Sequence, residues 1–301
     1  MRLPAYSSLP AWLRALRPEQ WTKNALVLAA FFFAYADPAQ GLRGHGLRSL
    51  LSAVAASAVF CLASSAVYLF NDVHDREDDV RHPAKRLRPV AAGEIPPDAA
   101  RLASALLAAF ALGAAALLAP RFAAIVAAYV AMQLGYTLLL KQTPILDVIV
   151  VATGFVMRAV AGAAVLGVVI SPWLVLCTFF LSLFLALCKR RQEKTTKDEG
   201  EQRPTLRGYS VALLDQLISV SASSTLVSYA LYTLSPATVA KFHTPLLGLT
   251  IPFVVFGVFR YLYLVYVRNE GERPERTLLS DVPLLATAAL FFATAAALLL
   301  A

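Results

Sequence analysis

Nine long apolar segments limit what this chain can fold into more than any other feature of its sequence. A membrane-spanning helix needs about 20 largely apolar residues. The segments that reach or approach this length are residues 22–36, 49–71, 100–119, 121–140, 145–167, 172–189, 211–234, 244–267 and 279–300. The first is short, and only Pro120 separates the third from the fourth. The pattern predicts an all-α, polytopic integral membrane protein with about nine transmembrane helices.

The composition agrees with a membrane protein and excludes several soluble classes. Hydrophobic residues make up 58% of the 301 residues, and charged residues only 15%. An ordinary soluble domain is about half apolar and about a quarter charged. A disordered chain, a nucleic-acid-binding domain and a disulfide-rich secreted module are therefore excluded. Since the apolar segments leave no room for a separate soluble domain, residues 1–301 are predicted to form a single transmembrane domain.

The distribution of charged residues predicts the orientation in the membrane. With the N-terminus inside, 21 of the 27 Lys and Arg residues fall in inner segments and four in outer segments. The positive-inside rule then places the N-terminus in the cytoplasm and the C-terminus in the periplasm of a bacterial inner membrane. The acidic residues follow the same side, with Asp37 as the one exception. The rule does not require this, so we expect a site for a charged substrate and a cation at the cytoplasmic face.

The strongest candidate for that site is an acidic stretch at the end of the second span. If the helix continues past the membrane, Asn71, Asp75 and Asp79 lie on one face, with Asp72 beside them. Hard oxygen ligands suit Mg²⁺, which typically takes one or two protein carboxylates and substrate phosphate oxygens. The spacing predicts a Mg²⁺ site at Asn71, Asp75 and Asp79. The alternative is a solvated run of charges at the end of a membrane helix.

Basic residues follow the acidic stretch closely. Pro83 is expected to end the helix, and Lys85, Arg86 and Arg88 can then fold back toward a phosphate held by the acids. Arg offers bidentate phosphate recognition, and Lys offers a mobile point charge. These three residues are candidate substrate ligands; their alternative role is to anchor the inner side of the membrane.

Arg158 lies 13 residues into the fifth predicted span. A charged residue at such a depth costs roughly 2.5–3.5 kcal/mol on insertion scales, so it is a functional candidate by default. The position predicts that Arg158 faces a polar cavity and acts in catalysis or substrate binding. The alternative is an arginine that reaches out to the membrane interface.

Lys141 and Tyr68 are further candidates for contacts with substrate. Lys141 joins the fourth and fifth spans near Asp147 and can either hold a lipid phosphate or mark the inner boundary of the membrane. Tyr68 lies one helical turn before Asn71 and Asp72, where its hydroxyl can donate to a substrate oxygen. Packing in the core is the alternative role of Tyr68.

These residues carry a resemblance to a known family. The stretch Asn71-Asp72-x-x-Asp75-x-x-x-Asp79 resembles the first aspartate-rich motif of the UbiA-type prenyltransferase superfamily. Other motifs resemble its decaprenyl-phosphate phosphoribosyltransferase branch over nearly the whole chain. They are Arg17-Pro18-x-Gln20-Trp21-x-Lys23-Asn24, Ser65-Ala66-Val67-Tyr68-Leu69-x-Asn71-Asp72-Val73, His82-Pro83-x-Lys85-Arg86-x-Arg88-Pro89, Arg158-Ala159-x-Ala161-Gly162, and Lys189-Arg190 with Glu193.

The resemblance implies an all-helical membrane transferase that holds a diphosphate through Mg²⁺. Its branch transfers 5-phosphoribose from phosphoribosyl diphosphate to a polyprenyl phosphate, a step in the synthesis of cell-envelope polysaccharide precursors. The resemblance also assigns Lys23 a role in phosphate binding. Asp72, Asp75 and Arg158 are the catalytic candidates.

The second half of the site departs from the superfamily pattern. Members usually carry a second aspartate-rich motif after the sixth helix. Here that place holds Lys189 and Arg190 with Glu193, and Asp198 and Glu199 lie further on. So basic a run suits a second phosphate better than a second Mg²⁺. Lys189, Arg190 and Glu193 are therefore candidate substrate ligands.

Two other functions stay open at this stage. An aromatic prenyltransferase of the same fold would use a polyprenyl diphosphate donor, but its expected second acidic motif is weak here. A transporter or lipid-binding scaffold would place its charges near the middle of the bilayer, whereas these acids gather at one face. The sequence leaves open the polyprenyl length, the downstream glycan and whether the chain forms a homo-oligomer.

Overall fold

The computed structural model describes residues 9–196, 204–271 and 274–300, and regular structure within these ranges is helical throughout. The α-helices are α1 (Ala11–Leu16), α2 (Ala29–Ala36), α3 (Gly46–His74), α4 (Arg76–Arg81), α5 (Pro97–Leu118), α6 (Pro120–Leu138), α7 (Leu146–Leu166), α8 (Pro172–Thr196), α9 (Val211–Leu234), α10 (Pro236–Phe242), α11 (Ile251–Tyr266), α12 (Pro274–Ser280) and α13 (Val282–Leu300). Short 3-10 helices cover Pro18–Leu28, Pro38–Gln40, Leu42–His45, Lys85–Leu87, Leu140–Gln142, Pro204–Gly208 and Leu246–Thr250.

Eight helices in the described part of the chain are long and apolar enough to cross a membrane. They are α3, α5, α6, α7, α8, α9, α11 with the preceding 3-10 helix, and α13. The predicted polytopic, all-helical architecture is therefore confirmed.

The first predicted span, residues 22–36, differs from the other eight. It is a 3-10 helix over Pro18–Leu28 followed by the eight-residue α2, and neither piece is long enough to cross a membrane. Asn24 is a polar residue within this apolar segment. Its side chain is fully buried and hydrogen-bonds to a residue of α3.

The outer surfaces of the long helices are apolar. Leu117, Leu285 and Phe292 are among the large hydrophobic side chains that are exposed. A soluble monomer rarely exposes so much contiguous apolar surface, whereas lipid tails solvate it without cost. Burial therefore supports the same conclusion as the sequence, that these helices face lipid.

The chain divides into two compact units, described separately here. The first unit contains Met1–Phe33, Leu42–Lys141 and Met157–Val169, and the second contains Ala34–Gly41, Gln142–Val156 and Ile170–Ala301. The single-domain organisation expected from the sequence stays a prediction.

Aromatic packing forms the main core of the first unit. The ring of Phe60 on α3 lies 6.0 Å from that of Phe122 and 5.2 Å from that of Tyr129, both on α6. Helix α7 joins this core at Gly162, where an added Cβ would lie 2.0 Å from the backbone oxygen of Val27. Only glycine permits this close approach of two backbones.

A smaller apolar cluster of the first unit surrounds the C-terminal part of α3. Leu69 near the end of α3 packs with Val90, Ile95 and Ala100, and all four side chains are fully buried. Since Leu69 lies two residues before the acidic stretch and Val90 two residues after Arg88, this cluster draws the basic loop back toward the acids.

The second unit has its own core. Phe184 on α8, Leu214 on α9 and Val258 with Tyr261 on α11 are buried together. Val148, near the start of α7, joins the same cluster. This packing holds the first turn of α7 close to α8, which positions the second set of candidate residues.

Candidate active site

The acidic stretch spans a one-residue break between two helices. Helix α3 ends at His74 and α4 begins at Arg76, with Asp75 between them. Helical hydrogen bonds nevertheless continue across the break, from the Asp75 N–H to the Asn71 carbonyl (2.9 Å) and from the Asp79 N–H to the Asp75 carbonyl (2.8 Å). The predicted continuation of the helix is thus close to what is observed, and α4 ends two residues before Pro83 as expected.

Asp72 and Asp79 come together through Arg88. Both carboxylates are 1% exposed, and seven residues on a helix return almost to the same angle. One guanidinium nitrogen of Arg88, Nη1, lies 3.2 Å from Asp72 Oδ1 and 2.5 Å from Asp79 Oδ2. Arg17 forms a second ion pair with Asp72. The expected return of Arg88 toward the acids is therefore observed, and each buried carboxylate has the partner that burial requires.

Asp75 has a different partner. Its carboxylate pairs with the ammonium of Lys141, and both side chains are partly exposed. Lys141 thus contacts the acidic stretch directly, which the sequence did not predict. The acids divide into Asp75 with Lys141, and Asp72 and Asp79 with two arginines, instead of forming one shared set of ligands.

The stretch offers oxygen donors that fit Mg²⁺ only in part. Among the residues that the structure describes, no group of three or more His, Cys, Asp or Glu side chains is arranged to hold a metal ion. The Asn71 Oδ1 atom, however, is buried and has no hydrogen-bond partner there. Because Mg²⁺ commonly takes one or two carboxylates and completes its shell with water and substrate phosphates, these residues suit a Mg²⁺ ion that arrives with a substrate.

Burial and neighbouring charges affect the acid–base properties of this cluster. Burial raises the pKa of Asp79, an effect that the nearby charges of Arg88 and Lys85 oppose. Burial also lowers the pKa of Arg88, as does its proximity to Arg17. Lys85 is half-buried near the acids, whereas Arg86 is exposed. Of the three predicted basic residues, Arg88 makes the direct contacts with carboxylates.

Tyr68 and Lys23 lie in the same unit as the acids. The Arg17 guanidinium lies over the Tyr68 ring, 4.9 Å from its centroid, so this arginine links Tyr68 to Asp72. Lys23 is half-buried on the first 3-10 helix. Arg17 was not among the residues predicted from the sequence to bind substrate, although it belongs to the Arg17-Pro18-x-Gln20-Trp21 motif and directly precedes this 3-10 helix.

Arg158 is held by neutral groups inside the first unit. It is 4% exposed, its Nε donates to Asn24 Oδ1 (2.7 Å) and its Nη2 donates to the Tyr129 hydroxyl (2.9 Å). The rings of Phe60 and Tyr129 also lie within cation–π distance. The side chain is buried among packed side chains, whereas the sequence predicted that it faces a polar cavity. Its catalytic role stays a prediction.

A second polar cluster lies in the second unit, at the C-terminal end of α8. Arg190 is 4% exposed; its Nε donates to Asp147 Oδ2 (2.7 Å) and its Nη1 to Glu193 Oε2 (3.3 Å). The Tyr209 hydroxyl donates to the other oxygen of Asp147 (2.7 Å). Burial and this hydrogen bond raise the pKa of Tyr209. The structure thus brings together Arg190 and Glu193, which the sequence predicted, and adds two residues to them.

Asp147 and Tyr209 are the residues that sequence reasoning missed. Asp147 opens an otherwise apolar span, which was an available signal, but nothing in the sequence relates it to Arg190, 43 residues away. Tyr209 had no signal. Lys189 is half-buried beside Arg190, and Asp198 and Glu199 lie outside the described residues.

Comparison with known proteins identifies the family. The model of the UbiA prenyltransferase family matches residues 25–294. The decaprenyl-phosphate phosphoribosyltransferase of Corynebacterium glutamicum is 34% identical over 285 residues, which is 93% of this chain and 84% of that protein. The enzyme of the same name from Mycolicibacterium smegmatis is 36% identical over 239 residues, 77% of this chain and 73% of that protein.

A solved structure shares the fold at lower identity. The UbiA homolog from Archaeoglobus fulgidus bound to GPP and Mg²⁺ superposes with a TM-score of 0.71 and 21% identity, over 97% of this chain and all of that one. At this identity the likeness concerns the fold alone. Since the family model spans most of the sequence and the named relatives cover it at more than 30% identity, this chain belongs to the UbiA prenyltransferase family.

Proposed function

We propose that this chain is a Mg²⁺-dependent membrane transferase that moves 5-phosphoribose from phosphoribosyl diphosphate to a polyprenyl phosphate, within the synthesis of cell-envelope polysaccharide precursors. The relatives named decaprenyl-phosphate phosphoribosyltransferase support the reaction, since they match most of the chain at 34% and 36% identity. The solved UbiA homolog with Mg²⁺ and a bound diphosphate supports the cofactor.

One observation supports a phosphoribosyl donor over a prenyl diphosphate donor: both polar clusters contain Lys or Arg side chains next to their carboxylates. In the first unit, Arg17, Arg88 and Lys141 pair with the carboxylates of the acidic stretch. In the second, the buried Arg190 stands beside Lys189 where a second acidic motif is usual in the superfamily. A phosphoribosyl donor carries a 5-phosphate besides its diphosphate, and the lipid adds another phosphate. The two substrates together carry four phosphoryl groups and need several fixed cations, whereas a prenyl diphosphate carries two and needs fewer.

The residues of the first unit would bind the donor diphosphate. Asn71, Asp75 and Asp79, supported by Asp72, would hold Mg²⁺, which would neutralise the charge of the leaving diphosphate. Arg88 fixes Asp72 and Asp79 relative to each other, so that these carboxylates keep their orientation when substrate arrives. Lys141 would turn from Asp75 to a phosphate oxygen, since its ammonium is partly exposed.

The reaction then needs no nucleophilic side chain. An oxygen of the lipid phosphate attacks the ribose C1, and the bond from C1 to the diphosphate oxygen breaks with both electrons leaving on diphosphate. Positioning of the two substrates and electrostatic stabilisation of the departing charge can supply most of the catalysis. Lys23, Lys85, Arg86, Lys189, Arg190 and Glu193 are proposed to bind phosphate or ribose groups, and Tyr68 to donate to a substrate oxygen.

We also propose that the site faces the cytoplasm of a bacterial inner membrane. The excess of Lys and Arg in the inner segments supports this orientation, and a soluble phosphorylated sugar would meet the lipid headgroup at that face. The proposal treats the chain as one transmembrane domain.

The test is a transfer assay with purified protein in lipid nanodiscs. The protein is incubated with ribose-labelled phosphoribosyl diphosphate, polyprenyl phosphate and Mg²⁺, and the label extracted with lipid is counted. We expect label in the lipid phase, lost when the lipid acceptor is omitted or EDTA is added. A parallel reaction supplies a polyprenyl diphosphate and an aromatic acceptor. Prenylation of that acceptor without phosphoribose transfer would replace this proposal by the aromatic prenyltransferase.

A further inference from the structure

The Tyr209 hydroxyl connects a backbone amide to the guanidinium of Arg190. It accepts a hydrogen bond from the Ile145 N–H (2.5 Å) and donates to Asp147 Oδ1 (2.7 Å). The second oxygen of the same carboxylate, Oδ2, accepts from Arg190 Nε (2.7 Å). Tyr209, Asp147 and Arg190 are each less than 5% exposed. With one partner on each oxygen, the Asp147 carboxylate is held against rotation, and so is the arginine that it binds.

The backbone at Ile145, whose N–H donates to Tyr209, has an unusual conformation. Ile145 has a φ of +71°, a left-handed conformation that is a genuine outlier for a β-branched residue. Strain of this kind persists only where surrounding contacts impose it. Gly208 lies close to the residue before Ile145, because an added Cβ at Gly208 would lie 2.4 Å from Pro144 Cγ. The segment before α7 is therefore fitted closely against Gly208 and Tyr209.

The neighbouring arginine offers an internal comparison. Arg191 Nε donates to Asp215 (2.6 Å), and the Tyr266 hydroxyl donates to the same carboxylate (2.7 Å). Both donors bind the same oxygen, Oδ1, so these two hydrogen bonds do not fix the carboxylate at both of its oxygens. Asp215 and Tyr266 are also exposed. An Arg–Asp–Tyr set thus occurs twice. In the buried set, each oxygen of the aspartate accepts a hydrogen bond from a different residue; in the set nearer the surface, one oxygen accepts both.

We propose that Tyr209 is a positioning residue that acts through Asp147 to orient Arg190 for a phosphate of the donor. This inference rests on the proposed function. Guanidinium binds phosphate through two parallel N–H bonds, so that its plane must be correctly oriented before the ligand arrives. A tyrosine hydroxyl is protonated at neutral pH, and that of Tyr209 donates to Asp147.

The test compares Tyr209→Phe with Tyr266→Phe in the transfer assay. Loss of the Tyr209 hydroxyl should raise KM for phosphoribosyl diphosphate at least fivefold with kcat within twofold, because Arg190 contacts a group away from the reacting carbon. Tyr266→Phe should leave both constants within twofold of wild type. Hydrogen exchange should become faster at the Ile145 amide in Tyr209→Phe and stay unchanged in Tyr266→Phe. A KM within twofold of wild type, or unchanged exchange, in Tyr209→Phe overturns the positioning role.

A second background keeps the test decisive if Tyr209→Phe does not fold. Ile145→Gly retains the amide donor and adopts a positive φ without strain, so KM is compared between Ile145→Gly and the Ile145→Gly/Tyr209→Phe double variant. If the double variant also fails to fold, the hydroxyl is structural and the inference is overturned. Absence of phosphoribose transfer by the wild type overturns the proposed function together with this inference. Transfer by the wild type with an unaffected Tyr209→Phe overturns the inference alone.

Discussion

At the scale of single residues, Asp75 has the position best suited to a ligand that changes partner. It lies at the break between α3 and α4, and its partly exposed carboxylate pairs with the ammonium of Lys141. Asp72 and Asp79, in contrast, are buried and tied to arginines. The three carboxylates are therefore not equivalent, although the sequence presents them as one pattern.

Asp75→Ala should reduce transfer at least tenfold, which corresponds to about 1.4 kcal/mol in the barrier, while the protein still inserts and folds. The reason is that a partly exposed carboxylate contributes little to folding but would contact Mg²⁺. Asp78→Ala is the matched control, since Asp78 is an exposed aspartate on α4, the short helix that directly follows Asp75. Transfer above a tenth of wild type with unchanged Mg²⁺ dependence would contradict the metal role. Asn71→Ala should behave like Asp75→Ala, and Asp79→Ala more mildly.

Arg158→Leu should lower transfer at least tenfold with little change in Tm. Removing the charge relieves an insertion cost of roughly 2.5–3.5 kcal/mol. It also leaves the side-chain oxygens of Asn24 and Tyr129 without the donor they had, which costs about 1–3 kcal/mol for each. The two effects on stability offset each other. The measurement is a thermal melt beside the transfer assay. Tyr129→Phe is the control, because it removes one partner and keeps the charge. A large fall in Tm for Arg158→Leu, with transfer per folded molecule unchanged, would make this arginine structural.

At the scale of helices, the contact between α7 and the first 3-10 helix depends on a missing side chain. Gly162 lies so close to Val27 that a Cβ would be 2.0 Å from its carbonyl oxygen. This contact brings Asn24 and Arg158 together, since Asn24 lies one turn before Val27 and Arg158 one turn before Gly162. The hydrogen bond between the two side chains therefore depends on this glycine.

Gly162→Ala should destabilise the protein by about 1–3 kcal/mol, as overpacking typically does, and lower the Tm by several degrees. Gly135→Ala on α6 is the matched control: nothing lies within 4 Å of its added Cβ, so the change should be neutral or stabilising by about 0.4–1 kcal/mol. Melts of the two variants in one detergent decide the matter. Equal Tm values for Gly162→Ala and the wild type would contradict this prediction, because α7 and the first 3-10 helix would then move apart without any loss of stability.

At the scale of the whole molecule, membrane orientation is the feature that charge counting predicts and packing alone does not determine. Cysteine labelling tests it, after Cys61, Cys177 and Cys188 are replaced by Ser. A membrane-impermeant maleimide applied to intact spheroplasts should label Arg121→Cys, at an outer end of α6, but label Arg81→Cys only after permeabilisation. Both positions are exposed. The reverse labelling pattern would invert the predicted topology and place the acids in the periplasm.

The sequence by itself determined which segments become membrane helices, because length and apolar character are local properties that lipid reads directly. It also located the acidic stretch, whose members lie within two or three helical turns at the junction of α3 and α4. Within the first predicted span, the buried side chain of Asn24 hydrogen-bonds to side chains on α3 and α7, and only the tertiary structure reveals these partners.

The tertiary structure alone decided which charges meet. Arg17 and Asp72 are 55 residues apart, Lys141 and Asp75 are 66 apart, and Tyr209 and Asp147 are 62 apart. No local spacing rule relates such positions, because they meet only where separate helices and loops pack together. The sequence therefore supplied the types of group needed for phosphate chemistry. Packing determined that the acids divide between separate cations and that a tyrosine without any sequence signal holds Arg190 in place.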